Sequence, residues 1–194
     1  MKLAAITGSI GCGKTTLAKI ASDLGYAVFD VDAWVRRIYR NKVFLQQLEN
    51  LFKGSVKNGA ADKKYLRSIV FNDKEKLEDL ENLIYPKLHL MMKNAIRKNA
   101  KRNNICFLDI ALLFEKGWDK YCDFIILADV DYEIQKQRVM IRDNISEDGF
   151  EMINNAQMNN EKKKNLVDAV VDTNKPINVL KVEMINIIRC LEMM

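Results

Sequence analysis

Residues Gly8-Ser9-Ile10-Gly11-Cys12-Gly13-Lys14-Thr15 follow the apolar run Leu3-Ala4-Ala5-Ile6 and precede Thr16-Leu17-Ala18-Lys19-Ile20-Ala21. A strand that turns on glycines into a helix is the setting that the G-x-x-x-x-G-K-[ST] pattern of phosphate-binding loops requires. No other stretch constrains the fold as much. Gly8, Gly11 and Gly13 permit backbone angles that other residues resist, and they leave no side chain in the way of a phosphate. Successive N–H groups then form an anion nest, reinforced by the dipole of the following helix. Lys14 reaches the β- and γ-phosphates as a point charge, Thr15 offers a hydroxyl to magnesium, and Cys12 and Thr16 lend backbone groups. The expected ligand is ATP with Mg2+. An ordinary glycine-rich turn is the plainer reading, and the four matched positions with both flanks weigh against it.

Five apolar runs, residues 3–6, 27–29, 105–108, 124–127 and 169–171, read as parallel strands. Apolarity without alternation marks strands covered on both faces. With helical segments between them the class is α/β: a three-layer P-loop NTPase fold on a five-stranded parallel sheet. The gap between the second and third strands is long and helical (33–39, 43–52, 64–71 and 74–101), broken at 54–62 by a polar, Gly-bearing stretch read as a loop. A crossover of that length is an inserted helical domain, and in a kinase with such a loop it holds the acceptor. A second excursion, 143–167, is polar and rich in Asn and Lys, and reads as a small mobile lid. In the tail, Leu180, Met184, Ile187, Ile188 and Leu191 recur at helical spacing as a covering helix. The expected division of this one domain (1–194) is a core of 1–32, 104–142 and 168–194, an insertion of 33–103 and a lid of 143–167.

The chain has 194 residues and a net charge of +5, from 31 basic and 26 acidic side chains. Its basic runs, 98–102 and Lys162-Lys163-Lys164, are short and read as solvated faces, so no nucleic-acid partner is expected. Mild positive charge suits an anionic small substrate. No apolar run approaches the roughly 20 residues that span a bilayer, and no basic segment with an apolar stretch precedes the glycine loop. A cytoplasmic protein without membrane association is expected, with a monomer favoured. Cys12, Cys106, Cys122 and Cys190 are scattered and give no ligand spacing with the lone His89, which fits reduced thiols. A thiol at a helix N-terminus tends toward a lowered pKa, in which case alkylating Cys12 blocks ATP. The preferred reading is that Cys12 fills a small-residue position.

Phe29-Asp30-Val31-Asp32 closes the second strand. Ligands of open α/β sheets gather at the carboxyl ends of strands, which puts these acids near the loop. A kinase acting on a hydroxyl needs a group that accepts or orients its proton. Asp32 is the candidate, and Asp30 a magnesium ligand through water. Asp32 also suits the N-cap of helix 33–39, and both roles can hold. Arg36, one turn on, can pair with Asp32 or bind an acceptor phosphate. Arg138 and Arg142, spaced i,i+4, share a helix face; they can offset charge on a transferring group or lie with Gln135 on a solvated face. Asp109 ends the third strand and can act on magnesium through water or hold the turn. Ile110 follows it, where a motor ATPase needs a second acid. Asn174-Lys175-Pro176 continues with Ile177, where a guanine-reading motif needs Asp. Both alternatives lose ground.

The constellation resembles the dephospho-coenzyme A kinases, from Ile6 to about Asn174. The resemblance rests on residues 7–16, on Asp30-Val31-Asp32 with Arg36, and on Leu112-Leu113-Phe114-Glu115. It continues through Gln135-x-x-Arg138 with Arg142, Ala156-Gln157 and Asp168-Ala169-Val170-Val171-Asp172. It implies an adenylate-kinase-like core, a helical domain for the coenzyme A moiety and a lid. The implied reaction moves the ATP γ-phosphate to the ribose 3′-hydroxyl of dephospho-coenzyme A, the last step of coenzyme A synthesis. The resemblance makes Asp32 the base, residues 11–16 the ATP-binding stretch, and Arg138 and Arg142 basic groups near the phosphates, which makes Lys14, Asp32, Arg138 and Arg142 the catalytic set. Tyr85-Pro86 stands where the family usually has His-Pro, and Ala111 where it usually has Pro. Tyr85 cannot titrate near neutrality as His does. Ser9, Cys12 and Thr15 replace the common Gly, Ser and Ser. A nucleoside monophosphate kinase is the alternative within the fold, and a non-catalytic nucleotide-binding regulator the alternative outside enzymes.

Overall fold

The computed structural model describes residues 1–71, 73–99 and 104–194. In chain order its elements are β1 (Lys2–Thr7), α1 (Lys14–Asp23), β2 (Ala27–Asp30), α2 (Val31–Ile38), α3 (Lys42–Leu51), β3 (Val56–Lys57), β4 (Ala60–Ala61), α4 (Lys63–Val70) and α5 (Lys74–Asn99). There follow β5 (Ile105–Asp109), a 3₁₀ turn (Asp119–Tyr121), β6 (Phe124–Asp129), α6 (Tyr132–Asp143), α7 (Glu147–Asn155), α8 (Asn160–Lys164), β7 (Ala169–Asp172) and α9 (Ile177–Met193). Two compact units result: Met1–Asp30 with Asn99–Met194, and Val31–Lys98.

The first unit holds the five expected strands in one parallel sheet, ordered β2-β5-β1-β6-β7. The strand that feeds the glycine loop is therefore central. Ala4, Ile6, Ile105, Phe107, Ile126, Ala128 and Val171 pack with Leu17, Ile20 and Ala21 of α1 and Leu180, Met184, Ile188 and Leu191 of α9. Their alternates Leu3, Ala5, Leu108 and Leu127 are buried too. Both faces of β5, β1 and β6 are covered, which is why these strands show no alternation, while at the edge Val170 of β7 is exposed. Each such Leu, Ile or Met contributes about 1.5–3 kcal/mol by leaving water, and an acid at Met184 would undock α9. Helix α6 starts on an Asp131 cap that accepts from Glu133 N–H at 2.9 Å and stops at Asn144, whose φ of 50° is left-handed. Ser146 and Asn159 then cap α7 and α8, so the expected lid segment is two short helices.

The second unit is mostly helical, with Ile38, Phe44, Leu45, Leu48, Phe52, Leu66, Leu80, Leu88 and Met92 buried. Asn41 and Asp62 cap α3 and α4, accepting from Phe44 and Tyr65 N–H. Residues 54–62, read as a loop, contain the hairpin β3–β4. Asn58 and Gly59 have φ of 51° and 75°, the left-handed pair of a type I′ turn. The Asn-Gly signal was in the sequence, but two-residue strands are too short to alternate visibly. The Glu49 carboxylate fastens the hairpin to α3 by accepting from Gly54 and Val56 N–H at 2.7 and 2.8 Å; these bonds hold its pKa below the usual carboxylate range. The expected end of the long helix at 101, and most of the basic run 98–102, lie outside the described residues. No described helix is long and apolar enough to cross a membrane.

Candidate active site

Close approach dictates the three loop glycines, Gly11 because a Cβ there would lie 2.4 Å from Val139 Cγ2. At Gly8, φ 143°, an added Cβ would lie 2.4 Å from the Ala128 carbonyl oxygen, which the sheet does not let move. At Gly13, φ 85°, a Cβ would lie 2.8 Å from Cβ and Oγ1 of Thr173. Past Gly13 the helix begins at once, with Thr16 and Leu17 N–H donating to the Gly13 carbonyl at 3.0 and 3.3 Å.

Gly11, Gly13, Lys14, Thr15 and Thr16 line a cavity of about 280 Å³ together with Arg138, Arg142 and Thr173. Both predicted arginines thus face the second limb of the loop. Arg138 donates from Nη1 to Thr173 Oγ1 and from Nη2 to the Thr173 carbonyl, each at 3.3 Å, and the Thr173 hydroxyl donates to the Cys12 carbonyl at 2.8 Å. Arg142 forms a fork with Asp143 at 2.7 and 2.8 Å, which raises its pKa. The Lys14 ammonium donates to the Gly8 and Ser9 carbonyls at 2.7 and 3.1 Å. Gln135, which the solvated-face alternative included, is buried and donates to the Ile10 carbonyl at 2.7 Å.

Cys12 is wholly buried. Desolvation pushes its thiol pKa up, outweighing the opposite pull of Lys14, and its sulfur accepts from Asn160 Nδ2 at 3.3 Å. The helix-terminus argument for a lowered pKa fails here, and the space-filling reading holds.

At the carboxyl edge of the sheet, Asp109 stands in register with Ile6 on one side and Asp30 on the other. Asp129 accepts from Asn160 Nδ2 at 2.7 Å and pairs with Lys164 at 2.8 Å. Asp32 and Arg36 belong to the second unit. Helix α2 opens at Val31, so Asp32 lies in the first helical turn rather than at the N-cap, where its charge still opposes the helix dipole favourably. Arg36 follows one turn later. No described group of three or more His, Cys, Asp or Glu gathers as a metal cage; magnesium in a kinase needs less, since one or two carboxylates and the substrate phosphates usually hold it.

Several residues that pattern reading left without a role lie against the loop. Gln157, Met158 and Asn160 bond Ser9 and Ile10. Lys163, read as part of a solvated lysine run, is fully buried and lies 3.2 Å from Glu115. Neither partnership leaves a trace in spacing, because the residues lie 48 to 151 positions from the groups they meet.

A family model described as Dephospho-CoA kinase matches residues 2–178. The chain belongs to the dephospho-CoA kinase family. A dephospho-CoA kinase of Bartonella quintana is 39% identical over 180 residues, covering 91% of each chain. The crystal structure of TT1252 from Thermus thermophilus is similar with a TM-score of 0.87 and 30% identity, over 100% of this chain and 98% of that one. A dephospho-CoA kinase from Campylobacter jejuni is similar with a TM-score of 0.67 and 27% identity, over 97% and 96%. As a dephospho-CoA kinase, the chain is a phosphotransferase that uses ATP, in coenzyme A biosynthesis.

Two departures from the family pattern have physical answers in this dephospho-CoA kinase. What Ala111 supplies is its carbonyl, which accepts from Thr7 Oγ1 and Lys163 Nζ, each at 3.5 Å; any residue can supply that. Burial, then Glu81, raises the pKa of the Tyr85 hydroxyl, so Tyr85 has no ionisation near neutrality.

Proposed function

We propose that the enzyme transfers the γ-phosphoryl group of ATP to the ribose 3′-hydroxyl of dephospho-coenzyme A, with Asp32 as the base. The supporting observation is the cavity where the loop residues meet Arg138 and Arg142. Residues 11–16 hold the triphosphate, and Lys14 neutralises the β- and γ-phosphates. The acceptor oxygen forms its bond to the γ-phosphorus as the bond to the β,γ-bridging oxygen breaks, and the hydroxyl proton passes to the Asp32 carboxylate. Arg138 and Arg142 offset charge on the transferring group. Arg36 binds the acceptor, the helical insertion at 33–103 recognises its coenzyme A moiety, and 143–167 act as the lid.

The donor set fits magnesium. Thr15 borders the cavity, and Asp30 and Asp109 are partners in register on β2 and β5; a hydroxyl and carboxylates, the latter acting through water, are hard oxygens that suit the ion. When bound, it neutralises phosphate charge. We further assign the enzyme to the cytoplasm as a monomer acting on small molecules alone, which its net charge of +5 suits.

The test is ATP-dependent phosphorylation of dephospho-coenzyme A, with AMP and adenosine as competing acceptors and the products identified by mass. Dephospho-coenzyme A is expected to be much the best acceptor. A preference for AMP would overturn the reading and favour a nucleoside monophosphate kinase.

A further inference from the structure

Ser9 and Ile10, the first limb of the loop, present four main-chain polar groups, and each is engaged. Ser9 N–H donates to Asn160 Oδ1 at 3.1 Å, and the Ser9 carbonyl accepts from Lys14 Nζ at 3.1 Å. Ile10 N–H donates to Gln157 Oε1 at 2.8 Å, and the Ile10 carbonyl accepts from Gln135 Nε2 at 2.7 Å. The Ser9 hydroxyl donates to Asn160 Oδ1 at 2.9 Å or, alternatively, to the Met158 carbonyl at 3.4 Å. The Asn160 amide nitrogen is itself fixed, with Asp129 Oδ1 at 2.7 Å, Cys12 Sγ at 3.3 Å and the Ala128 carbonyl at 3.4 Å. The segment carrying these amides is fastened in turn, because Met158 N–H donates to Glu115 Oε1 at 2.7 Å and Lys163 pairs with the same oxygen.

The loop is thereby divided. Its first limb is spent on side-chain amides from 157–160 and α6, while its second limb lines the cavity with the arginines. An anion nest binds well only if its N–H groups converge before the anion arrives, since any ordering done on binding weakens it. We propose that Gln157 and Asn160 are positioning residues of this kinase: they hold Ser9 and Ile10 still, so that residues 11–16 present a preformed nest to the triphosphate. This rests on the phosphate-loop reading of the site.

Gln157→Leu keeps the bulk and loses the acceptor; Asn160→Ala loses the bonds to Ser9. Each is compared with wild type by calorimetric binding of a non-hydrolysable ATP analogue, steady-state kinetics, amide hydrogen exchange and thermal unfolding. A lost hydrogen bond of this kind corresponds to a factor of about 10. The expected result is a rise of about 10-fold in the Kd of the analogue and the KM of ATP, with KM for dephospho-coenzyme A and kcat within about threefold. Amide exchange at residues 9–11 quickens. Gln157→Ala replaces the leucine variant if that one does not fold. Unchanged affinity for the analogue overturns the proposal, as does a parallel rise of both KM values with loss of folding stability, which marks a structural role only. Failure of the wild-type protein to bind the analogue would instead overturn the phosphate-loop reading itself.

Discussion

Replacing Lys163 with methionine removes an ammonium that is fully buried and lies 3.2 Å from Glu115 Oε1, while leaving most of the side-chain volume in place. The consequence falls on Glu115. Its side chain is 17% exposed, and its Oε2 is buried with no hydrogen-bond partner among the described residues. Deleting one member of a buried pair costs about 3–5 kcal/mol, because the other charge is left without compensation. The partial exposure of Glu115 and the Met158 N–H at 2.7 Å both soften that, so about 2–3 kcal/mol is expected here. For a chain of this length each kcal/mol moves Tm by about 2–4 °C, hence a fall of roughly 4–12 °C. Glu115→Leu alone should cost about as much, since it strands the ammonium. The double variant leaves no buried charge at the pair and loses the Met158 bond and the long Lys163–Ala111 bond of 3.5 Å, together worth about 1–1.5 kcal/mol. It should therefore be more stable than either single variant. Urea and thermal unfolding of the four proteins form a double-mutant cycle. A Lys163→Met protein within about 0.5 kcal/mol of wild type, or a double variant showing the sum of the two single losses, would refute the reasoning.

Four further outcomes are expected. Asp32→Asn should lower turnover by roughly 10²- to 10⁴-fold while calorimetry still detects ATP binding; near-wild-type turnover would reject Asp32 as the base. Gly13→Ala forces a side chain into a backbone with φ of 85°, 2.8 Å from Thr173; it should cost at least about 1–2 kcal/mol in unfolding experiments and weaken ATP binding about 10-fold or more. Iodoacetamide at pH 8 should label the exposed Cys190 and spare Cys12, whose thiol is buried with its pKa raised by desolvation; labelling of Cys12 in the folded protein, blocked by ATP, would contradict this. Chelation by EDTA should abolish phosphoryl transfer and added magnesium restore it, measured by ADP release; full activity in EDTA would remove magnesium from the scheme.

Legibility in the sequence followed the range of the interaction. The inner strands β5, β1 and β6 are runs of apolar side chains covered on both faces, and the edge strands β2 and β7 are shorter apolar runs, so all five were visible as unbroken apolarity, and α9 as a 3.6-residue repeat. Gly8 and Gly13 were visible as motif positions, though what forces them, Ala128 and Thr173, was not. Gln135 shows the limit. On α6 it shares a face with Arg138 and Arg142, and periodicity alone left that face open between phosphate contact and solvent; Gln135 itself is buried against the phosphate loop. Lys163 was misread for the same reason, because a run of three lysines carries no sign that the middle one is drawn inward to Glu115. The resemblance named Ala156-Gln157 without giving Gln157 a task.

What the sequence determined by itself was the local chemistry: a strand, a glycine turn and a helix that must make an anion nest, with a lysine and a hydroxyl at its second limb. Those features depend on neighbours within a few residues, and φ preferences, side-chain volume and helix periodicity suffice to specify them. Tertiary structure alone decided how the nest is held. Sheet order β2-β5-β1-β6-β7 makes the loop's own strand central, so groups from β6, from Thr173 just past β7, from α6 and from the 157–160 segment converge on the loop. Burial then fixed the character of three residues, leaving Cys12 a buried thiol with its pKa raised, Gln135 a backbone ligand and Lys163 half of an internal ion pair. Desolvation and hydrogen-bond geometry depend on what lies across space, and no local pattern encodes that.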